Sequence, residues 1–431
     1  MEEIISNINI VLYISVLLFT TILYQKKRGY FDSGSVLLFS YLLYSIMSLL
    51  LYNNPFFVSI FQPIRLFPFI YLYSMLILTA LPIFRYDQSK IREIQMPSVG
   101  LLKVFSVVFI ITSLVQLPAI ISDFKDSIVE LLTVSSGGQD LYNESIDNSY
   151  STGDGSIANL AAILSNSYGY FGILLFFYYL TIENRNKFIL IGLFLSIIIG
   201  IFTYISLGQR GPIVEMLFSM IITYFALKKF MTPKVNKIIK IVGVSLIAMV
   251  SVPIIALTNS RFEDNLGSLS SVYYYVGQEN LYFNNYGLDN GGIRYGDRTF
   301  PFFKRMLGFE NIPNNFWERR EKYPDLEIND EVFIGFIGDF TLDFGPVPAT
   351  LILIIFTLIV LRKTRIWDGE ILFHQLILIH FVMSVCMVGG MKLYPFSDTG
   401  GNLQLIFYFL AYLIFKADYL ITQHKKTNVI F

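Results

Sequence analysis

Apolar runs of about twenty residues recur along this chain from its first residues to its last, separated by short polar joints. No other feature restricts the fold as strongly. A run of that length matches the ~30 Å hydrocarbon core of a bilayer when it is helical. In hydrocarbon each backbone N–H and C=O must find its partner inside the protein, so only helices and closed barrels cross. Barrel strands would read as alternating segments of about ten residues, and the runs here are continuous. The expected fold is therefore all-α, a polytopic integral membrane protein. The candidate spans are 4–24, 35–52, 66–84, 99–121, 157–182, 188–207, 212–230, 238–258, 333–361, 371–390 and 402–422, eleven in all.

Composition agrees. Only 15% of the 431 residues are charged, and 54% are hydrophobic, whereas soluble domains are near 25% charged. A net charge of zero gives no reason to expect a nucleic-acid partner. The single cysteine, Cys386, excludes an internal disulfide and lies in an apolar run, where it reads as buried filler. Three histidines are too few for a metal cluster; His374 and His380 lie six apart and face different sides of their helix. The run Glu279 to Phe283 looks like part of a protease-tag site but lacks its glutamine, and reads as coincidence. Glu2 and Glu3 stand where a signal peptide would carry lysines, so the first run is read as an anchor.

Lysine and arginine fix the orientation. One set of joints holds Lys26, Lys27, Arg28; Arg85, Lys90, Arg92; Arg185, Lys187; Lys228, Lys229, Lys234, Lys237; Arg362, Lys363, Arg365; and Lys425, Lys426. The alternate short joints hold only Arg65, Lys125, Arg210 and Lys392. The rich set is expected to be cytoplasmic, which leaves the N-terminus outside and the C-terminus inside. The chain then divides into 1–258, with eight spans and an acidic outer loop at 122–156; a large outer loop at 259–332; and 333–431, with three spans. That large loop has 74 residues, a length that suggests its own fold and a function.

The loop mixes arginines, carboxylates and aromatics. Guanidinium forks pair with phosphate oxygens, and aromatic faces suit sugar rings. Arg261, Arg294, Arg298 and Arg305, with Tyr295, Trp317 and Lys392, are the candidate binding residues. The bland reading is a solvated surface. Arg210 lies in the turn Leu207-Gly-Gln-Arg-Gly-Pro212, where a helix start favours an anion; the alternative is a hairpin arginine that snorkels or pairs with Glu215. Asp339 and Asp343 are four apart at the outer end of the 333–361 run, on one face of a helix. Close carboxylates in an apolar setting push one pKa up, which suits a general base. The alternative is a pair held by an arginine. Arg210, Asp339 and Asp343 are the candidate catalytic residues.

In span number, length and one long outer loop before the last spans, the chain resembles the Wzy-type polymerases of O-antigen and capsular oligosaccharide repeat units. Locally, Gly208-Gln-Arg-Gly211 is similar to the family's arginine–glycine turn. Gly335 to Gly345 is similar to its glycine- and acid-bearing helix after the loop. Neither large outer loop holds a histidine, which separates the chain from the related lipopolysaccharide ligases. The resemblance implies a GT-C-like architecture in the bacterial cytoplasmic membrane. It also implies a glycosyltransferase without nucleotide-sugar donor or cofactor, which joins repeat units carried on undecaprenyl pyrophosphate. Besides that lipid-linked oligosaccharide and the bilayer, it implies a flippase and a chain-length regulator as partners. The alternative is a flippase or other polysaccharide transporter, for which paired halves or deep intramembrane charges would be expected; no internal repeat is visible.

Overall fold

The computed structural model describes residues 1–57, 59–133, 139–143, 157–262, 268–328, 332–366 and 368–428. It is 77% helical. The helices are α1 (Glu2–Arg28), α2 (Ser33–Tyr52), α3 (Leu66–Arg85), α4 (Val99–Thr133), α5 (Ile157–Thr181), α6 (Lys187–Ser206), α7 (Arg210–Leu227), α8 (Pro233–Phe262), α9 (Ser268–Tyr286), α10 (Pro301–Met306), α11 (Phe316–Lys322), α12 (Gly335–Phe344), α13 (Pro346–Lys363), α14 (Phe373–Gly389) and α15 (Asp398–Asn428). The strands β1 (Glu93–Gln95) and β2 (Glu370–Leu372) have three residues each.

Among the described residues, nine helices are long and apolar enough to cross a membrane. They are α1 to α6, α8, α13 and α15. The two other expected spans are also helices: α7, which carries Arg210 and Glu215, and α14, with 17 residues. The outward surface is apolar where a soluble protein's would be polar. Leu351, Ile355 and Leu358 on α13, and Val244, Val252 and Ile255 on α8, are exposed. Meanwhile Asp339, Asp343, Asn402 and Ser384 have no exposed surface. Polar inside and apolar outside is the arrangement that lipid rewards. The protein belongs to the class of multi-pass α-helical membrane proteins.

The expected helix at 333–361 is two helices. Gly345, at φ 80 and ψ 161, ends α12, and Pro346 opens α13 at its first position. The proline has no N–H to continue the α12 ladder, and its fixed φ suits a helix start. The segment expected as a large outer loop, 259–332, is also partly helical, since α8 runs on to Phe262 and α9 fills Ser268–Tyr286.

The chain forms two compact units. The first takes Met1–Arg92, Leu269–Ile371 and Gln375–Leu410. In it Tyr13 of α1 stacks on Phe69 of α3 at 4.5 Å. Tyr71 of α3 donates to the Pro346 carbonyl at 2.9 Å, tying α3 to α13. Tyr41 of α2 donates to the Cys386 carbonyl of α14 at 2.9 Å. Ser48 of α2 donates to the Gly277 carbonyl of α9 at 2.7 Å. Asp32 caps α2 in a reciprocal capping box with Ser35. The second unit takes Glu93–Ser268, Leu372–His374 and Ala411–Phe431. There α4 lies against α5 and α6. Phe109 of α4 stacks on Tyr168 of α5 at 5.0 Å, and a Cβ on Gly172 would meet the Phe109 ring.

Candidate functional site

In the first unit a buried charge network joins the segment after α9 to α12. The Asp339 and Asp343 side chains are fully buried, and their four-residue spacing turns both toward that segment. Arg294 bridges them: its Nη2 lies 3.2 Å from Asp339 Oδ1 and its Nε 2.6 Å from Asp343 Oδ1. Arg298 Nε lies 3.0 Å from Asp339 Oδ1. The backbone completes both carboxylates. Tyr394 N–H donates to Asp339 Oδ2 at 2.7 Å, and Thr299 donates to Asp343 Oδ2 through N–H and hydroxyl, both at 2.7 Å. Arg294 N–H also donates to the Leu342 carbonyl at 2.9 Å. This holds the arginine's own backbone against α12.

The local chain explains why the arginines can turn inward. Gly291 and Gly296 have φ of 74 and 80, and Tyr295 has φ 53. A run of left-handed residues curls the chain tightly enough to aim Arg294 and Arg298 at one helix. Asn402 closes the far side, donating to the Thr299 and Phe396 carbonyls at 2.8 Å each. Asp398 N–H donates to the Arg298 carbonyl at 2.8 Å, and Asp398 Oδ1 pairs with Arg319 at 2.7 Å.

A third buried acid, Asp297, pairs with Lys304 and Lys322 and accepts from the Tyr323 hydroxyl at 2.7 Å. Burial opposes its charge, but those donors outweigh burial and hold its carboxyl below the usual range.

Beside the network is a cavity of about 350 Å³, lined by Asn290, Arg294, Arg319, Arg320, Tyr323 and Glu327 among others. Arg320 lies over the Trp317 ring, 5.0 Å from its centroid. The cavity combines cationic forks, an amide and an aromatic wall, a lining suited to a polar ligand with anionic and hydroxyl groups.

The structure thus brings Arg294, Arg298, Asp339 and Asp343 together. Arg305 is a neighbour, donating to Thr399 at 3.0 Å and to the Pro313 carbonyl at 2.7 Å. Lys392 is tied through its carbonyl to the Gly335 amide at the start of α12, at 3.0 Å. Tyr295 and Trp317 are more than half exposed. Arg210 is buried at the start of α7, in the second unit. The side chain of Arg261 lies outside the described ones. Much of 122–156, at 134–138 and 144–156, also lies outside the described residues.

Sequence reasoning missed Thr299, Lys322, Tyr323 and Asn402, which no spacing marks. It also missed Glu279, part of the run dismissed as coincidence. Glu279 is 2% exposed on α9, its Oε2 accepts no hydrogen bond from the described residues, and burial pushes its carboxyl well above the ordinary range. It lies directly against the Cα of Gly335, where a side chain would collide with it. His380 pairs with Tyr408 at 2.9 Å, His374 has ring contacts with Tyr412 and Tyr419, and Cys386 is buried. Among the described residues no group of three His, Cys, Asp or Glu could hold a metal ion.

Comparison with known proteins finds no matching family model, no similar curated protein and no similar solved structure.

Proposed function

We propose that this protein is an oligosaccharide repeat unit polymerase, a glycosyltransferase of the bacterial cytoplasmic membrane acting at its outer face on units carried by undecaprenyl pyrophosphate. The reading takes eleven spans, an outer N-terminus and a cytoplasmic C-terminus. The product is a surface polysaccharide such as O-antigen, capsule or exopolysaccharide. The observation that carries it is the Arg294–Arg298 network against Asp339 and Asp343, set beside a polar cavity in the segment assigned to the outer face. In the reaction a hydroxyl oxygen of one unit bonds to the anomeric carbon of the growing glycan. The bond from that carbon to pyrophosphate breaks, the acceptor's hydroxyl proton passes to a base or to solvent, and the leaving group gains negative charge. Fixed guanidiniums answer such charge at little reorganisation cost. Arg294, Arg298 and Arg305 are the donors assigned to it; Arg210, at a helix start in the second unit, is kept as a separate anion-binding candidate. Tyr295, Trp317 and Lys392 are assigned to the glycan.

Asp339 and Asp343 are already ion-paired with arginines and accept from backbone amides. Their role in this reading is first to fix Arg294 and Arg298, and a base role would require an oxygen to exchange its arginine for the acceptor hydroxyl. The pH dependence of chain elongation by Asp339→Asn and Asp343→Asn separates the two. A loss of equal size at every pH fits positioning, and loss of the low-pH limb of the profile fits a base.

Deleting the gene tests the function itself. A polymerase mutant should display single repeat units at the cell surface. Absence of all units would instead mark a flippase. Arg210→Ala should insert and accumulate yet lose long chains, by roughly 100- to 1000-fold in rate. Wild-type polymerisation by purified Arg210→Ala would show that this residue takes no part in the reaction.

A further inference from the structure

At the opposite end of the α3–α13 pair lies a second cavity, of about 440 Å³, which the proposed reaction does not use. Its floor is apolar, formed by the buried Pro82, Tyr86 and Ile379. Its rim carries Arg85, Lys90 and Arg365, all exposed. One acid, Asp87, also lines it, but that carboxylate is held by Arg28 at 2.7 Å, with Lys90 at 3.6 Å. The rim therefore has an excess of positive charge over an apolar base.

Its depth in the membrane identifies the occupant. α13 has 18 residues, or roughly 27 Å at ~1.5 Å per residue. Pro346 at its start adjoins the Asp339–Asp343 helix, and the cavity residue Thr364 directly follows its end. The two sites are thus about one hydrocarbon thickness apart, so no single headgroup serves both. Below the rim the surface is lipid-facing: Leu81 on α3 and Ile359 on α13 are exposed. Leu81 and Arg85 are four apart, on one face. A molecule lying there passes from apolar chain to cation in one helical turn. Basic cavities between membrane helices at the cytoplasmic border suit anionic headgroups.

We infer that the cavity bounded by Arg85, Lys90 and Arg365 is a binding site for the phosphate headgroup of an anionic membrane lipid, with the acyl chain along the outer surface of α3 and α13. The occupant belongs to the leaflet away from the proposed reaction.

The test uses the purified full chain, stripped of lipid and titrated with phosphatidylglycerol or phosphatidylcholine in mixed micelles, with bound lipid counted by native mass spectrometry. Phosphatidylglycerol should bind at least tenfold more tightly. Each cation near an anionic headgroup contributes roughly fivefold. Arg85→Gln with Arg365→Gln should therefore lower that affinity roughly 20- to 30-fold. Lys26→Gln with Lys27→Gln, exposed cations elsewhere on the basic side, should leave it unchanged. Both variants should melt as the parent does in phosphatidylcholine. Should the glutamine pair melt lower, Arg85→Lys with Arg365→Lys must keep the phosphatidylglycerol preference. The inference is overturned by equal binding of the two lipids, by equal losses in the two glutamine pairs, or by loss of the preference in the lysine pair. It is also overturned if inorganic phosphate displaces the lipid at matched concentration, which would mark a site for a soluble anion.

Discussion

Asp343 is fully buried, ion-paired with Arg294 Nε and accepting from the Thr299 amide and hydroxyl. A buried charge is tolerable only when it is answered in this way. Arg294 is answered twice, and removing it takes an ion-pair partner from two carboxylates at once. Arg294→Ala should cost about 3–5 kcal/mol, read as a lower melting temperature of the purified protein. Arg294→Lys should recover part of this, since one ammonium cannot fork between two carboxylates. Asp297 gives a test in pH. Its folded-state pKa lies below the ordinary value. It therefore stabilises the fold above the unfolded pKa, near 4, and loses that contribution as pH falls through the lower folded value. Asp297→Asn should accordingly be clearly less stable than the parent at pH 7, with the gap narrowing below about pH 4. A gap of constant size across that range would mean that the carboxylate's charge is not what Lys304, Lys322 and Tyr323 bind.

Among the elements, α12 decides the site, because its ten residues carry both Asp339 and Asp343. Length and apolarity put 333–361 in a single helix. The break at Gly345–Pro346 was present in the sequence as a dipeptide, yet hydropathy does not register it. Gly345 sits in a region of φ and ψ open essentially to glycine alone. A Cβ there would have room, its nearest neighbours being at 3.8 and 3.9 Å, so the cost of a substitution is conformational and not steric. Gly345→Ala should cost about 1–3 kcal/mol by denaturant or thermal unfolding. It should also straighten the α12–α13 joint and pull Asp343 away from Thr299. A variant as stable as the parent would show that the joint tolerates another backbone shape. α9 teaches the same lesson from the other side. A segment assigned to a polar outer loop is a helix packed on α2, with Leu281 and Phe283 fully buried.

For the whole molecule, the orientation is open to direct measurement. Cysteine labelling in intact cells can use Cys386 as a silent background, since it is buried. Asn290 is buried but the adjacent Asp289 is exposed, so Asp289→Cys should react with an impermeant reagent, and Lys27→Cys should not. The reverse pattern would invert the orientation. The sequence by itself determined the class of molecule, because a membrane helix is specified locally: about twenty apolar residues satisfy their own backbone whatever surrounds them. It also placed charge at the ends of those helices, and it marked Arg294, Arg298, Asp339 and Asp343 as residues of interest. It could not say that they meet. Arg294 and Asp339 are 45 positions apart, and Asn402 reaches Thr299 from 103 positions away. The first compact unit itself gathers three separate stretches of the chain. Which charge answers which is a property of contacts between distant segments. The energy of a buried pair depends on distance and desolvation, and only the packed tertiary structure sets those quantities.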